Sequence, residues 1–480
     1  MKNTLRVHLV NPASDLKMIC GEYARFHSPI PPTSIAKLAA VIREQGHTVA
    51  IFDQFASKDS TEKFTEKVLV GNPDILGFSV LSPAMPTTQE LINSIRKKGS
   101  TAKIVLGNTH ATIYDEDLIR LRWADFVIRG EGELAFADLL DCVANDGDFS
   151  TVQGLSWRDQ ETTVRNPDRP QIDDLDKLPY PAWDLLDLNN YRGAPLLAMG
   201  NIVLPVQAAR GCPYRCIYCA QDKVHKKFMI RPPASVVDEI AYMHSRFGVN
   251  EFGFIDAFFP SSVKYGLEFA EELARRKLPI KFSTETRVDR VDEKMFKALT
   301  TVGLHTVMLG FEVGDPDILA TLNKKQSIEQ CYVAMRAAKA AGVTTVGFFV
   351  IGLPGETTET IKKTIRFAID LDVDIAKFNM AIPFPGTEFY RQVYGDEGDP
   401  RSRYEQFSSW YSGDIEGHSS STLSSKKLRR LQDQAMLRFY ARPRIVWRHL
   451  RKGTISISDM LAGAWILIRR GLFGSIRSKS

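Results

Sequence analysis

Short apolar runs alternate with amphipathic segments through the first third of the chain. Runs rich in β-branched and aromatic residues predict strands at residues 5–11, 47–52, 74–80 and 103–106. Between them, apolar positions spaced three and four residues apart predict helices at residues 34–45 and 87–98. This alternation is typical of a doubly wound, Rossmann-like parallel sheet covered by helices, and it indicates an α/β fold.

A second alternation of the same kind follows in the middle of the chain. Strands are predicted at residues 202–207, 251–255, 280–284, 305–311, 344–351 and 374–380. The predicted helices between them are residues 235–246, 264–276, 293–300, 316–322, 328–341 and 359–371. Six successive strands linked by helices favour a partial parallel (β/α)6 barrel.

The periodicity weakens between the two regions, over residues 147–192. Within this stretch, residues 173–183 indicate an irregular connector, with Pro179 and Pro181 as breakers. We therefore expect a first domain at residues 1–145, a linker at 146–195 and a barrel domain at 196–400. Residues 401–480 would form a C-terminal helical region.

Three cysteines occur within eight residues, with the spacing CxxxCxxC: Cys212, Cys216 and Cys219. Four cysteine ligands are the usual way to hold an iron–sulfur cluster, so three thiolates without a nearby fourth indicate a cluster with one iron available to another ligand. A zinc site or three ordinary buried thiols are the alternatives. Zinc is disfavoured because a structural zinc site takes four ligands, and the nearest candidate, His225, lies in a lysine-rich stretch.

Six cysteines in 480 residues do not form a disulfide framework and indicate a reducing compartment. Cys20, Cys142 and Cys331 are isolated from one another along the chain and predict no second cluster. The amino terminus has no signal-peptide pattern, and no apolar run reaches the roughly 18 residues of a membrane span. We expect a cytoplasmic protein.

Charge is distributed unevenly along the chain. The overall net charge is +5, but residues 424–480 carry 14 Lys and Arg against two acids, which is +12. Large apolar residues lie among these bases, most densely in the segments 438–448 and 462–473. The pattern favours contact with the inner face of an anionic membrane over binding of nucleic acid. A helical cap packed on the barrel, with a solvated basic face, is the third interpretation.

Small and hydroxylated residues follow the strands of the first predicted sheet, where doubly wound sheets bind ligands. None of these stretches is a dinucleotide fingerprint or a phosphate-binding loop. Small residues let the backbone approach a bulky ligand. The candidate ligand-binding residues are Ser79, Ser82, Gly107, Thr109, His110, Thr112, Gly130, Glu131 and Gly132.

The cysteine loop, with Tyr218 directly before its last cysteine, resembles the signature of the radical S-adenosylmethionine enzymes. Together with the preceding sheet it resembles their cobalamin-dependent members. The resemblance implies one [4Fe–4S] cluster, S-adenosylmethionine and cobalamin as cofactors, with cobalamin contacts at the residues named above. Asn108 stands where relatives commonly have a glycine. The Asp-x-His-x-x-Gly motif is absent, so the resemblance implies base-off cobalamin without a histidine on cobalt, and His110 is expected to hydrogen-bond backbone or a cofactor amide.

The resemblance extends to the loops that follow the barrel strands. It implies that Asp256 meets the methionine ammonium and Glu312 the ribose hydroxyls of S-adenosylmethionine, and that Gly352, Gly355 and Pro385 lie in loops around the adenine. Arg287 would bind the methionine carboxylate, or else pair structurally with Glu285 or Glu312.

These cofactors together predict methylation of an unreactive carbon on an apolar, lipid-like or polycyclic substrate, with electrons from a reductase, flavodoxin or ferredoxin. The domain order also resembles the anaerobic oxidative cyclase that acts on magnesium protoporphyrin monomethyl ester. A non-catalytic cobalamin sensor is an alternative of a different class.

Overall fold

The computed structural model describes residues 3–20, 24, 28–193, 202–396, 403–408, 423–452 and 465, with residues 20 and 452 described by their backbone only. Two large sheets organise these residues. One is formed by the first third of the chain and the other by the middle of the chain.

The first sheet has seven strands in the order β2-β1-β3-β4-β5-β6-β7. They are β1 (Arg6–Asn11), β2 (Thr48–Asp53), β3 (Ile75–Ser79), β4 (Lys103–Gly107), β5 (Phe126–Ile128), β6 (Leu155–Asp159) and β7 (Thr162–Arg165). Strands β1 to β5 are parallel. The order 2-1-3-4-5 is one of the two common doubly wound arrangements, and its crevice lies where the order reverses, between β1 and β3.

Helices cover both faces of this sheet, which explains why its strands are continuous apolar runs. Leu9, Val105 and Phe136 lie in the core on one face, and Leu76 and Leu106 lie in the core on the other. The helices of this region are Leu16–Cys20, Thr33–Glu44, Gln54–Ser57, Thr61–Leu69, Met85–Lys97, Thr109–Ile113, Asp115–Arg120 and Gly132–Ala144.

No strand is predicted from the sequence within the linker 146–195, yet two strands lie there. β6 and β7 form an antiparallel hairpin that extends the first sheet beyond β5. The sequence signal is weak because the turn between them is Gln160-Glu161, without the Asn or Gly that marks most two-residue hairpins. Gln160 adopts the left-handed conformation itself, at φ +53°.

The second sheet has six parallel strands in the order β15-β14-β13-β12-β11-β8. The remaining strands are β8 (Val203–Val206), β9 (Ala209–Arg210), β10 (Met229–Ile230), β11 (Glu251–Phe254), β12 (Lys281–Thr286), β13 (Leu304–Glu312), β14 (Thr344–Ile351) and β15 (Ile375–Met380). Their helices are Gln221–Val224, Pro233–Phe247, Val263–Arg276, Glu293–Thr301, Pro316–Thr321, Ile328–Ala340, Thr358–Leu371 and Glu388–Tyr394. The short strands β9 and β10 pair with each other outside this sheet.

The partial (β/α)6 barrel predicted from the sequence is therefore confirmed, and so is the doubly wound sheet before it. All six predicted barrel strands are present with bounds within two residues of the prediction. Helices bury the outer face of the barrel sheet, where Phe282, Leu309, Phe349 and Phe378 form one apolar core with them.

The C-terminal helical region packs on the barrel. Helix Ser425–Tyr440 buries Leu428, Leu431 and Phe439 in the barrel core. The following helix, Pro443–Lys452, places Arg448 against both carboxylate oxygens of Asp372, at 3.0 and 2.9 Å. The helical-cap interpretation therefore holds for this part of the tail. The predicted basic segment 462–473 lies, apart from Trp465, outside the described residues.

Within the part of the chain that the structure describes, no helix combines the length and the apolar character needed to cross a membrane.

Candidate active site

The cysteine loop starts at a residue that must be glycine. Gly211 has φ +77°, and a Cβ added there would overlap the carbonyl oxygen of Lys227. Arg210 and Met229 pair across the β9–β10 ladder, so the chain leaves and returns at one place. The three cysteines therefore lie on a loop that is closed at its base.

Backbone and side-chain hydrogen bonds fix the far side of this loop to the carboxyl edge of the barrel. Ile217 donates its N–H to the carbonyl of Leu322 at 3.2 Å and accepts from the N–H of Phe389 at 2.9 Å. Asn323 donates from its side chain to the carbonyl of Arg215 at 2.9 Å. The loop is thus held by the segments that follow β13 and β15.

The three thiols are free, half-buried and close enough to interact electrostatically. Burial raises the pKa of Cys216 and raises that of Cys219 to about 11. Thiolates in such a place need a compensating positive charge, which the irons of a cluster supply when it binds. Among the described residues, no three His, Cys, Asp or Glu side chains converge on one metal-ion position; a cube instead takes its three thiolates on three different irons.

Asp256 follows β11 and is buried at the carboxyl edge of the barrel. Its two oxygens accept the backbone N–H groups of Ala208 and Ala209, directly ahead of the cysteine loop. Burial raises its pKa to about 7 in spite of these bonds. Asp256 therefore ties β11 to the start of the loop, and its contact with a methionine ammonium stays a prediction.

Glu312 ends β13 in the left-handed conformation, at φ +64°. Its carboxylate pairs with the buried ammonium of Lys324, which also donates to the carbonyl of Gly310 at 2.7 Å. The hydroxyl of Tyr218 bonds to the same carboxylate, and burial and the charge of Glu312 hold its pKa well above the usual range. Tyr218, the tyrosine directly before the last cysteine, thus connects the cysteine loop to the residue predicted to meet the ribose.

Arg287 lies beside Cys216 but does not pair with Glu285 or Glu312, as one interpretation of the sequence expected. It donates to Asp289 at 2.8 Å and to the carbonyl of Lys324 at 2.7 Å. Its guanidinium lies 3.5 Å from the ring centroid of Tyr214. Arg287 thus pairs with Asp289, two residues on in the chain, rather than with Glu285 on the preceding strand β12 or Glu312 on β13.

The two loops predicted to surround adenine are tightly built. Glu356 accepts the N–H groups of Gly352 and Leu353 at 2.6 and 2.9 Å, while its other carboxylate oxygen is buried without a hydrogen-bond partner in the described residues. Gly352 and Gly355 have φ values of +95° and +80°. Pro385 is buried in the loop before helix Glu388–Tyr394.

A cavity of about 390 Å³ lies at the carboxyl edge of the first sheet, beside the reversal of strand order. This volume is in the range of small-molecule sites, roughly 300–1,000 Å³. Five of the nine predicted cobalamin-binding residues line it: Ser79, Gly107, Gly130, Glu131 and Gly132. The barrel side contributes Gln207, Arg210, Val224, His225 and Ile255, so the cavity lies between the two sheets.

The other four predicted residues, Ser82, Thr109, His110 and Thr112, are not among those that line this cavity. His110 is fully buried, with Nδ1 3.0 Å from the Ser82 hydroxyl. Burial lowers its pKa to about 3, so its ring is neutral. Thr112 accepts the N–H of Gly130 at 3.1 Å and so supports the cavity wall from behind.

The backbone conformation of Asn108 accounts for the glycine that the family resemblance implies at this position. Asn108 has φ +80° and ψ −172°, a conformation almost restricted to glycine. Its side chain offsets the strain by accepting from the N–H of Thr109 at 2.7 Å and donating to the Ser79 hydroxyl at 2.9 Å.

A group of charged residues between the two sheets was not predicted. Arg210 donates to Glu131 at 3.2 Å and also to Glu133, and Lys37 donates to Gln207 at 3.0 Å. Burial lowers the pKa of Lys37 to about 8. Arg210 and Glu131 are 79 positions apart in the sequence, so no local pattern could pair them.

The residues present fit the implied cofactors. The cavity has glycines where a side chain would occupy ligand space, since a Cβ on Gly132 would meet nothing within 4 Å and one on Gly107 only a carbonyl oxygen at 3.8 Å. The three thiols supply a cluster site with one iron left over, and carboxylates on the barrel edge suit the ammonium and hydroxyl groups of S-adenosylmethionine.

Comparisons with known proteins agree with this geometry. The family model "Radical SAM superfamily" matches residues 206–368, and the model "B12 binding domain" matches residues 23–140. An uncharacterized methyltransferase of Pyrococcus horikoshii is 29% identical, over 93% of this chain and 94% of its own.

Two further relatives have names that state a reaction. The anaerobic magnesium-protoporphyrin IX monomethyl ester cyclase of Rubrivivax gelatinosus is 32% identical, over 76% of this chain and 67% of its own. The hopanoid C-3 methylase of Methylococcus capsulatus is 24% identical, over 76% of this chain and 69% of its own.

Among solved structures, the radical S-adenosylmethionine methyltransferase TsrM from Kitasatospora setae, determined with cobalamin and a [4Fe–4S] cluster, has a TM-score of 0.68 and 20% identity. The match covers 83% of this chain and 76% of TsrM. At this identity the likeness shows a shared fold.

Proposed function

We propose, because this chain belongs to the radical SAM superfamily and carries a B12-binding domain, that it methylates an unactivated carbon of an apolar substrate. It is an enzyme that uses a [4Fe–4S] cluster, S-adenosylmethionine and cobalamin. The methyl-transfer outcome and the apolar substrate are the proposed part.

The observation that carries the proposal is the concave face of the barrel sheet. Alternate residues of a strand share one face, and Met308, Phe348 and Val350 are half-buried between fully buried neighbours. Met308 and Phe348 therefore face into the barrel, whereas Val350 packs against the apolar cluster that includes Leu319 and Phe389. Ile255, directly after β11, is 44% exposed and also lines the cavity between the two sheets. We infer that apolar residues connect the barrel interior to the cobalamin cavity.

Two charged residues lie on the same concave face. Glu285 on β12 is exposed and has no side-chain hydrogen-bond partner among the described residues. Lys377 on β15 lies 5.3 Å from the ring centroid of Phe348, and burial lowers its pKa to about 8. These two residues would orient a polar end of an otherwise apolar substrate.

When bound, the cluster with S-adenosylmethionine supplies a carbon radical and cobalamin supplies a methyl group. The chain's own contribution is placement. Tyr218 and Glu312 connect the cysteine loop to the strand edge, Asp256 fixes the start of the loop, and Ile255 lies where barrel and cavity meet. Apolar walls exclude water from a reactive intermediate.

The test uses anaerobically purified, cluster-reconstituted protein with cobalamin, S-adenosylmethionine, a strong reductant and a membrane-lipid extract. We expect 5′-deoxyadenosine and S-adenosylhomocysteine in comparable amounts, both dependent on the extract. Cys216→Ala should abolish both products, whereas Cys331→Ala, a buried cysteine outside the loop, should retain them. Deoxyadenosine without S-adenosylhomocysteine would overturn methyl transfer.

Oxidative cyclisation of a porphyrin-type substrate is the second candidate, favoured by the 32% identity to the Rubrivivax gelatinosus cyclase. In the same assay with magnesium protoporphyrin monomethyl ester, it would give deoxyadenosine and a cyclised pigment without S-adenosylhomocysteine. The family match favours both enzyme candidates over the non-catalytic sensor.

We also propose that the C-terminal region touches an anionic membrane surface. On helix Pro443–Lys452, Trp447 and Leu450 are 61% and 46% exposed and lie among arginines. Cosedimentation with phosphatidylglycerol vesicles should be lost in Trp447→Ser and kept in Leu134→Ser, a substitution of an exposed leucine on the first domain. Equal sedimentation of the two variants would refute it.

We propose that the chain divides into domains 1–145, 146–195, 196–400 and 401–480, and the β6–β7 hairpin extends the first sheet from within the linker. An external electron donor of the reductase, flavodoxin or ferredoxin class would reduce the cluster.

A further inference from the structure

Glu131 lies at the centre of the contact between the two sheets. One carboxylate oxygen accepts from Arg210 at 3.2 Å and lies 3.1 Å from Nδ1 of His225, and the other accepts the N–H of Ile172 at 2.7 Å. The residue is only 9% exposed. Burial acts to raise the pKa of Glu131, but the hydrogen bond with His225 and the charge of Arg210 lower it by more. The net pKa is below the usual value, so the carboxylate is ionised.

Arg210 and His225 are the two ends of the segment that carries all three cluster cysteines. Arg210 is two residues before Cys212, and His225 is six residues after Cys219. A single carboxylate therefore holds both ends of the loop. Arg210 bonds to Glu133 as well, and Gly211 packs against the backbone of Lys227, so the base of the loop is closed from both sides.

The same carboxylate belongs to the wall of the cobalamin cavity. Glu131 lies between Gly130 and Gly132, which also line the cavity, and so do Arg210 and His225. A ligand that fills this cavity must contact the loop that positions Glu131. The cavity and the cluster site therefore share one structural element rather than merely lying near each other.

We propose that Glu131 couples cobalamin binding to assembly of the cluster site: a loop ordered by its cluster presents Arg210 and His225 to Glu131, which sets the cavity wall for cobalamin. Coupling between two sites is reciprocal for binding free energies, so cobalamin must also favour the cluster-bearing loop by the same factor. The inference concerns binding only and is independent of which reaction follows.

The experiment measures hydroxocobalamin affinity by absorbance titration, for the full chain before and after cluster reconstitution, without S-adenosylmethionine or substrate. We expect the cluster to tighten cobalamin binding roughly 5- to 150-fold, the usual range of coupling between two sites. The coupling ratio is the cobalamin affinity with the cluster divided by the affinity without it. In Glu131→Gln, which keeps the shape of the side chain but removes its charge, this ratio should fall towards one.

Asp138→Asn is the matched control. Asp138 is an acid on the helix that follows Glu131, and it pairs with Arg169 at 2.6 Å, away from the cysteine loop. The coupling ratio of Asp138→Asn should equal that of the wild-type protein. His225→Gln provides a second variant if Glu131→Gln folds poorly, since the His225 side chain is 21% exposed, and it should lower the ratio part of the way.

A wild-type ratio of one, or an unchanged ratio in folded Glu131→Gln or His225→Gln protein, would overturn the proposal. Either result would leave the methyl-transfer assay unaffected, because no turnover is involved. Equal loss of the ratio in Asp138→Asn would also overturn it, because any acid of this region would then serve.

Discussion

The two sheets present different chemistry at their carboxyl edges. At the ends of β3 and β4, the edge of the first sheet is built from backbone and small side chains such as Ser79 and Gly107, and its buried acids Glu131 and Glu133 pair with Arg210 from the barrel side. The edge of the barrel is built from buried charges such as Glu312 and Lys324. We expect the first edge to select its ligand mainly by the space it leaves, and the barrel edge by charge. This difference follows from the ligands, because a corrin is large and rich in neutral amides whereas S-adenosylmethionine is small and charged.

The largest expected effect comes from removing a charge at the barrel edge. Glu312→Gln keeps the side-chain shape and the same left-handed backbone, but it leaves the ammonium of Lys324 buried beside a neutral amide. Loss of one partner of a buried pair costs about 3–5 kcal/mol. We expect a lower free energy of unfolding, measured by urea denaturation, and weaker binding of S-adenosylmethionine, measured by calorimetry.

Glu359→Gln is the control for Glu312→Gln. Glu359 pairs with Lys362 at 2.7 Å, but the two side chains are 71% and 39% exposed. An exposed pair contributes about 0–1 kcal/mol, so both measurements should stay near the wild-type values. Equal effects of the two substitutions would mean that the buried pair at the barrel edge contributes no more than an exposed surface pair.

A second expectation concerns pH and Glu356, whose pKa burial raises to about 7. The unfolded chain releases this proton near pH 4.5, so between about pH 4.5 and 7 the folded state binds more protons. The contribution of Glu356 to stability is therefore complete at low pH and is lost as the pH rises to about 7. Glu356→Gln cannot ionise and should not show this loss.

We expect Glu356→Gln to gain stability relative to the wild-type protein as the pH rises, by roughly 2–3 kcal/mol between pH 4.5 and 8. Urea denaturation of both proteins at the two pH values measures this difference. A pH-independent difference would show that the carboxylate is ionised in the folded protein throughout.

The smallest expected effect on stability comes from the first sheet. In Gly107→Val the added atoms point into the cavity, where a Cβ meets only the carbonyl oxygen of Ile128 at 3.8 Å. Stability should change by no more than about 0.5 kcal/mol, whereas cobalamin affinity should fall about tenfold, because overfilling a packed site costs about 1–3 kcal/mol. Thermal denaturation and absorbance titration measure the two quantities.

Ser79→Ala is the counterpart of Gly107→Val, because it removes an atom from the same cavity wall. It loses the hydrogen bond from Asn108 and should change cobalamin affinity by less than about threefold. If removal of the hydroxyl proved worse than addition of the isopropyl group, selection by space would be the wrong description of this edge.

The sequence predicted the features that depend on local pattern. Continuous apolar strands such as β14 and the cysteine triplet are readable because their neighbours in sequence are their neighbours in space. The orientation of the His110 ring is a feature that local sequence pattern does not predict. The motif around His110 suggests a cofactor contact, yet the ring orientation depends on Ser82 and on Tyr404, whose ring lies edge-on at 5.2 Å from a distant part of the chain.

Two charge pairs could not be predicted, because their partners are set by tertiary packing. They are Arg210 with Glu131 and Arg287 with Asp289. Both depend on how two sheet edges meet, which side-chain types do not specify. The hairpin of β6 and β7 was missed because Gln160 adopts a left-handed turn conformation without a glycine or asparagine to signal it.

The packing of helix Ser425–Tyr440 has a consequence for solubility. A six-stranded partial barrel leaves β15 as an edge strand, and the unpaired backbone of an edge strand can recruit a strand of another molecule. The hydroxyl of Tyr440 accepts the N–H of Ala376 at 3.1 Å and donates to its carbonyl at 2.9 Å, and Gln432 donates to the carbonyl of Phe378 at 2.7 Å. The N–H and carbonyl of Ala376 and the carbonyl of Phe378 are therefore hydrogen-bonded to the helix, and these groups of β15 are not available to pair with a strand of another molecule.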